Sequence, residues 1–265
     1  MRKKEYDLNY DLSFEKFWYN HNEANIEKST IMEIAKKINL PKETTRRKLA
    51  ELIKKKILGK TKKNIVWLPT DEYKKTYNNI VEDEIKQLAK LTKYVTDKVD
   101  FNFSTEEIIS EYKEKFSFYW FHYLDLQLKW MRLWKSQMKD LEIVMIFMQI
   151  ATLLSSRAGE EVSHNKLFSE PDIVLKPHVQ NINVSISATS LSDITGIPRA
   201  TCIRKLNQMA SRKMITQDKN SKRYYIVPEV LNKSLVSKDL TTQVTALFSE
   251  YYFIIIKALS SKTSH

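Results

Sequence analysis

The chain contains a second copy of part of itself, and this repeat constrains its fold more than any other feature. Segment 31–60 reads IMEIAKKINLPKETTRRKLAELIKKKILGK, and segment 188–217 reads ATSLSDITGIPRATCIRKLNQMASRKMITQ. They align without gaps at an offset of 157. Pro41 meets Pro198, Thr44 meets Thr201, and Arg47-Lys48-Leu49 meets Arg204-Lys205-Leu206. Apolar positions match as well: Ile34 with Leu191, Leu40 with Ile197, Leu52 with Met209, Ile57 with Met214 and Leu58 with Ile215. Farther along, at an offset of 159, Ile85 meets Val244, Leu88 meets Leu247 and Tyr94-Val95 meets Phe253-Ile254.

Both copies follow one physical grammar. A short helix is expected over about 31–38 and again over about 191–195, with Thr30 and Glu33 forming a capping box in the first. A tight corner follows, at Asn39 in one copy and Gly196 in the other. These residue types best tolerate a left-handed backbone. A second helix then starts at Pro41 or Pro198, since proline suits a first turn whose N–H is unneeded. Its apolar seam is Thr45, Leu49, Leu52 and Ile53, or Cys202, Leu206, Met209 and Ala210, at the three-and-four spacing of one helix face. Cys202 therefore reads as a small core residue. Next come a basic turn and a β-prone run: Lys60 to Lys63 before Asn64–Leu68, and Lys219 to Arg223 before Tyr224–Val227. Helix, turn, helix and hairpin together describe a winged helix. Each unit is expected to end in a further amphipathic helix, over about 71–97 and 229–258.

Charge points to the partner. The 265 residues carry a formal net charge of +12, from 44 Lys and Arg against 32 Asp and Glu. Such an excess favours a polyanion, with nucleic acid ahead of an anionic membrane surface. A Lys-rich solvated surface would give the same total, so position decides. Between Lys36 and Lys63 there are 12 basic and 2 acidic residues, and the matching stretch of the second copy has a weaker excess. The charge thus gathers on the two helix–hairpin segments. Lys54-Lys55-Lys56 lies at the far end of its helix, where it also offsets the helix dipole.

The remaining composition excludes several classes. The three glycines, Gly59, Gly159 and Gly196, build no phosphate loop of P-loop or Rossmann type. The five histidines show no metal spacing, and the single cysteine allows neither an intrachain disulfide nor a cysteine zinc cluster. No cofactor, metal site or catalytic constellation is expected, and the chain does not read as an enzyme. The charged start, Met1 to Glu5, is followed by no apolar signal core. The most apolar run, Leu141 to Leu154, is shorter than the roughly 20 residues of a spanning helix. A buried core helix and a cytoplasmic, nucleoid-associated protein are the expectations.

The stretch 191–204, LSDITGIPRATCIR, resembles the DNA-binding motif of the Crp/Fnr regulators. The flanking helices look more like those of MarR-type regulators. The likeness covers about 30–70 and 187–228, and the cyclic-nucleotide barrel of the Crp family is absent, so its ligand does not carry over. The resemblance implies base contacts from Lys42, Glu43 and Arg47, and from Arg199, Ala200 and Arg204. It implies phosphate contacts from Thr44 and Thr201. Ala200 departs from the family's acidic residue, which implies different base preferences in the two copies. On chemical grounds Arg46, Lys60, Lys62 and Lys63 join the first DNA-binding set, and Lys205, Lys219, Lys222 and Arg223 join the second.

Between the copies, about 104–156 reads as one long or two consecutive helices, starting at Ser104 or Thr105 ahead of Glu106-Glu107. Its aromatic run, Phe116 to Leu124 with Trp130 and Trp134 beyond, reads as core or dimer interface. An effector pocket for a lipophilic molecule is the other reading. Residues 157–186 read as a connection, ending in a short strand at Asn183–Ile186. The expected architecture is mainly α with small hairpin wings. It divides into an N-terminal winged unit (1–98), a central helical region (99–157) and a C-terminal unit with its connection (158–265). The expected function is sequence-specific binding of double-stranded DNA by a transcription regulator, a monomer or homodimer, one chain imitating a winged-helix dimer. The rivals are a plasmid or phage replication initiator and a winged-helix protein-interaction scaffold.

Overall fold

A computed structural model describes residues 12–19, 29–67, 69–161, 185–226 and 238–261. The fold is mainly helical with a few small antiparallel strands. In chain order the elements are α1 (Phe14–Tyr19), β1 (Ser29–Thr30), α2 (Ile31–Ile38), α3 (Lys42–Lys54), β2 (Leu58–Thr61) and β3 (Asn64–Trp67). Then come α4 (Asp71–Lys98), α5 (Thr105–Glu114), α6 (Phe116–Met138) and α7 (Leu141–Glu161). The second copy holds α8 (Ala188–Thr195), α9 (Arg199–Ser211), β4 (Ile215–Gln217) and β5 (Tyr224–Ile226), followed by α10 (Lys238–Ser260). The chain forms two compact units: Met1–Asp125 with Glu250–His265, and Leu126–Ser249. The stretch 99–157 is divided between the two.

The repeat is structural as well as sequential. Thr30 caps α2 in a full capping box with Glu33, and Ser187 caps α8 by accepting from Ser190 N–H. The corner residues are left-handed, Asn39 at φ 51° and Gly196 at φ 68°. Pro41 and Pro198 share one conformation, φ −54°, ψ 138° and φ −53°, ψ 136°. They stand just before the helix rather than in its first turn, and their carbonyls accept from Thr45 N–H and Cys202 N–H at 3.0 and 2.9 Å. A second left-handed residue follows each longer helix, Lys56 at φ 56° and Lys213 at φ 59°. There Ile57 N–H returns to Leu52 carbonyl, and Met214 N–H to Met209 carbonyl, closing both helix ends alike.

Strand register follows the same correspondence. Leu58 pairs with Trp67 and Gly59 with Val66, while Ile215 pairs with Ile226 and Thr216 with Tyr225. Ahead of the first helix, Ser29 pairs with Ile65, and Ile186 bridges to Tyr224. The offset is 157 on the strand before each turn and 159 on the strand after it. The second turn is therefore two residues longer, as the sequence requires. In the first copy the sheet order is β1-β3-β2.

The two units build different cores. In the second, α7 lays Ile143, Val144, Ile146, Phe147 and Ile150 against Leu191, Cys202, Leu206, Met209 and Ile215, all buried. Leu141–Leu154 is thus a core helix segment through Ile150. In the first, the aromatic run turns inward. Phe116, Tyr119, Trp120 and His122 are buried, Phe14 and Phe17 meet Phe116 edge to face, and Phe17 reaches Trp67 of the hairpin. The void among Tyr112, Phe116, Tyr119, Trp120 and Tyr251 is about 10 Å³. That barely holds one water and is far below the 300 Å³ or so of a small ligand site. These five side chains fill the space between them.

Several boundaries moved. The helix before Gly196 starts at Ala188, not Leu191, because Ser187 supplies a cap. The central region holds three helices, with breaks at Lys115 and at Lys139-Asp140, where Lys139 is left-handed. Helix α7 runs through Gly159 to Glu161. The expected connection over 162–184, most of the short strand before Ile186, and the first part of the 229–258 helix lie outside the described residues.

Candidate nucleic-acid interface

Each copy presents the outer face of its longer helix and its hairpin tip. On α3 the burial of Thr45 and Leu49 fixes rotation about the helix axis. Lys42, Glu43, Arg46 and Arg47 are consequently exposed, and Thr44 is half-buried. Arg46 donates from Nε to both Glu43 carboxylate oxygens, at 2.9 and 3.1 Å, and from Nη2 at 2.5 Å. Its guanidinium holds the Glu43 carboxyl below the usual range. Glu43 is thus already engaged by a cation of its own helix, with Lys42 and Arg47 exposed beside it. Lys60 sits on β2, and Lys62 and Lys63 form the two-residue turn to β3, all exposed.

On α9 the geometry is similar but the charge is lower. Arg199 and Arg204 are exposed, as is Ala200, and Thr201 is half-buried. Arg199 Nε donates to Thr189 Oγ1 at 3.1 Å, which braces it across the corner onto α8. The longer hairpin turn is organised by Asp218, whose Oδ1 accepts from Asn220 N–H, Ser221 N–H and Ser221 Oγ–H. Those bonds, led by the Ser221 N–H, hold its carboxyl below the usual range. Lys219 and Lys222 are exposed on this turn. Arg223 is exposed but donates to Ser185, to the carbonyl from Nη2 at 2.7 Å and to Oγ from Nε at 3.1 Å. It ties the hairpin to the segment leading into α8.

Lys205 departs from expectation. It is 5% exposed and turns to the core side of α9. Its ammonium donates to Asp140 Oδ2 and stands 3.2 Å from Glu142 Oε2. Its position in the sequence, one step after Arg204, puts it about 100° around the helix, toward Leu206 and Met209. It is therefore removed from the interface set. Its partners had no sequence signal, since they lie 65 and 63 residues away. The bracing roles of Thr189 and Ser185 were equally silent.

No family model, curated protein or solved structure matches the chain. No group of His, Cys, Asp and Glu that could hold a metal ion occurs among the described residues. No helix among them is long and apolar enough to cross a membrane.

Proposed function

We propose that the chain is a tandem winged helix-turn-helix protein that binds double-stranded DNA sequence-specifically, acting as a transcription regulator. The observation that carries the reading is the repeated placement of one exposed basic helix and one basic hairpin, in matching backbone register, at both ends of the repeat. In this reading α3 and α9 are recognition helices entering major grooves, and the hairpins are wings against the phosphate backbone. Arg47 and Arg204 stand on the outer face of their helices, as base or phosphate contacts require. Lys42, Lys60, Lys62 and Lys63 supply the first copy with a denser positive field. Lys219 and Lys222 supply less to the second.

The two copies differ at the reading positions, Glu43 against Ala200, and in wing length. They therefore read unlike half-sites. Selection of bound duplexes from a random pool tests this. A motif of two different halves supports it, and enrichment of no sequence above background removes it. Occupied sites lying in gene promoters rather than in repeated origin sequences distinguish a regulator from a replication initiator.

A further inference from the structure

Lys48 and Lys205 are equivalent residues of the repeat with opposite surroundings. Lys48 is 62% exposed and pairs with Glu51 of its own helix at 3.3 Å. Lys205 is 6% exposed at its side chain and pairs with two carboxylates on the residues that open α7. Asp140 serves a second role there. Its Oδ1 accepts from Glu142 N–H at 3.0 Å and Ile143 N–H at 3.2 Å, capping α7, while Oδ2 faces Lys205. Just past the end of α9, Arg212 Nη1 donates to the Met138 carbonyl at 3.4 Å. One cation of α9 and one from the residue just past its end thus grip the single corner 138–142.

An ion pair within one helix leaves that helix free to rotate and slide as a body. A pair that joins a buried ammonium to another helix does not, because displacement leaves that ammonium without its partner. The apolar seam beside it, Cys202, Leu206 and Met209, supplies adhesion but little directional preference. The ionic clamp supplies the direction.

Resting on the DNA-binding reading above, we propose that Lys205 is a positioning residue for recognition by the second copy. It touches no DNA and fixes α9 on the α6–α7 corner, so that Arg199 and Arg204 are presented in one register. At the equivalent position of the first copy, Lys48 pairs within its own helix and, among the described residues, makes no such clamp. The second helix is the pre-set reader of the pair.

The test compares wild type with Lys205→Met, Lys205→Arg and Lys48→Met on a duplex selected by wild type and on an unrelated duplex, across a salt series. Amide exchange is followed in the free proteins. Lys205→Met is expected to lose roughly ten-fold in affinity for the selected duplex, the size of one spoiled base-pair contact. Binding to the unrelated duplex and the salt slope stay at wild-type values, exchange over 199–211 quickens, and Lys205→Arg restores all of these. Lys48→Met leaves exchange over 42–54 unchanged. A salt slope smaller by about one, with equal loss on both duplexes, would make Lys205 a phosphate contact and overturn the proposal. Unchanged exchange over 199–211 would overturn the clamp. If Lys205→Met does not fold, Lys205→Met with Asp140→Asn, which strands less buried charge, is expected to fold and show the same selective loss; full specificity in that variant overturns the proposal. Wild type that binds no duplex would instead sink the DNA reading, and with it this role, while quickened exchange would still establish the clamp.

Discussion

Asn39 and Gly196 stand at the same step of the repeat and share a left-handed backbone, at φ 51° and 68°. A Cβ built on Gly196 meets no atom within 4 Å. Substitution there is opposed by backbone conformation alone, not by crowding. Gly196→Ala and Asn39→Ala are each expected to cost about 1 kcal/mol. Gly196→Asn should cost less than Gly196→Ala, since asparagine already serves this corner in the first copy. Urea denaturation of the three variants measures the order.

Leu52 and Met209 also share a step, yet the first is 36% exposed and the second 0%. The difference follows from what lies against them. Met209 packs into the cluster that α7 builds, and Leu52 is not among the buried residues of its own unit. Met209→Ala is expected to destabilise by about 2–5 kcal/mol, the range of large-to-small core changes. Leu52→Ala should stay below about 1 kcal/mol, as for a largely surface site. Equal losses in thermal denaturation would contradict the packing described.

The repeat made much of this fold legible in advance. Local rules were sufficient for the capping box at Thr30 and Glu33, the left-handed corner at Asn39 and Gly196, and the core placement of Cys202. Each of these depends on residues within a few positions of one another. The longer turn before Tyr224 followed from counting. What was not legible depends on distant partners. Lys205 reads as a surface cation until Asp140 and Glu142 are folded against it, and nothing local marks that pairing. The aromatic run from Phe116 was ambiguous because period and composition identify a buried face without naming what covers it. Leu52 shows the converse case, a seam position left partly open.

Arg47 and Arg204 are exposed on helices whose opposite faces are buried, so truncation should spare the fold. Arg47→Ala and Arg204→Ala are each expected to weaken binding to the selected duplex by about 1–3 kcal/mol if the lost contact is bidentate to a base. Circular dichroism and melting temperature should match wild type. Fluorescence anisotropy on labelled duplex gives the affinity, and unchanged affinity in both variants would remove α3 and α9 as readers.

Asp140 gives the second unit an acid-sensitive contact. Burial raises its carboxyl pKa, but the Lys205 hydrogen bond and charge, with the Ile143 and Glu142 N–H groups, outweigh this and hold it below its ordinary value of 3.8. A carboxyl depressed on folding stabilises above its ordinary value, and that stabilisation is lost as pH falls toward the folded value. Stability of wild type should therefore fall below about pH 4 more steeply than that of Asp140→Asn, while at neutral pH the variant is the less stable. Parallel curves for the two proteins in acid denaturation would contradict the pairing.

The central claim is that both copies read duplex DNA. Hydroxyl-radical footprinting of the selected duplex tests it most directly. Two protected patches of unlike sequence are expected, one weakened selectively by Arg47→Ala and the other by Arg204→Ala. A single patch that responds to only one of these variants, or a duplex left unprotected at saturating protein, would contradict the account.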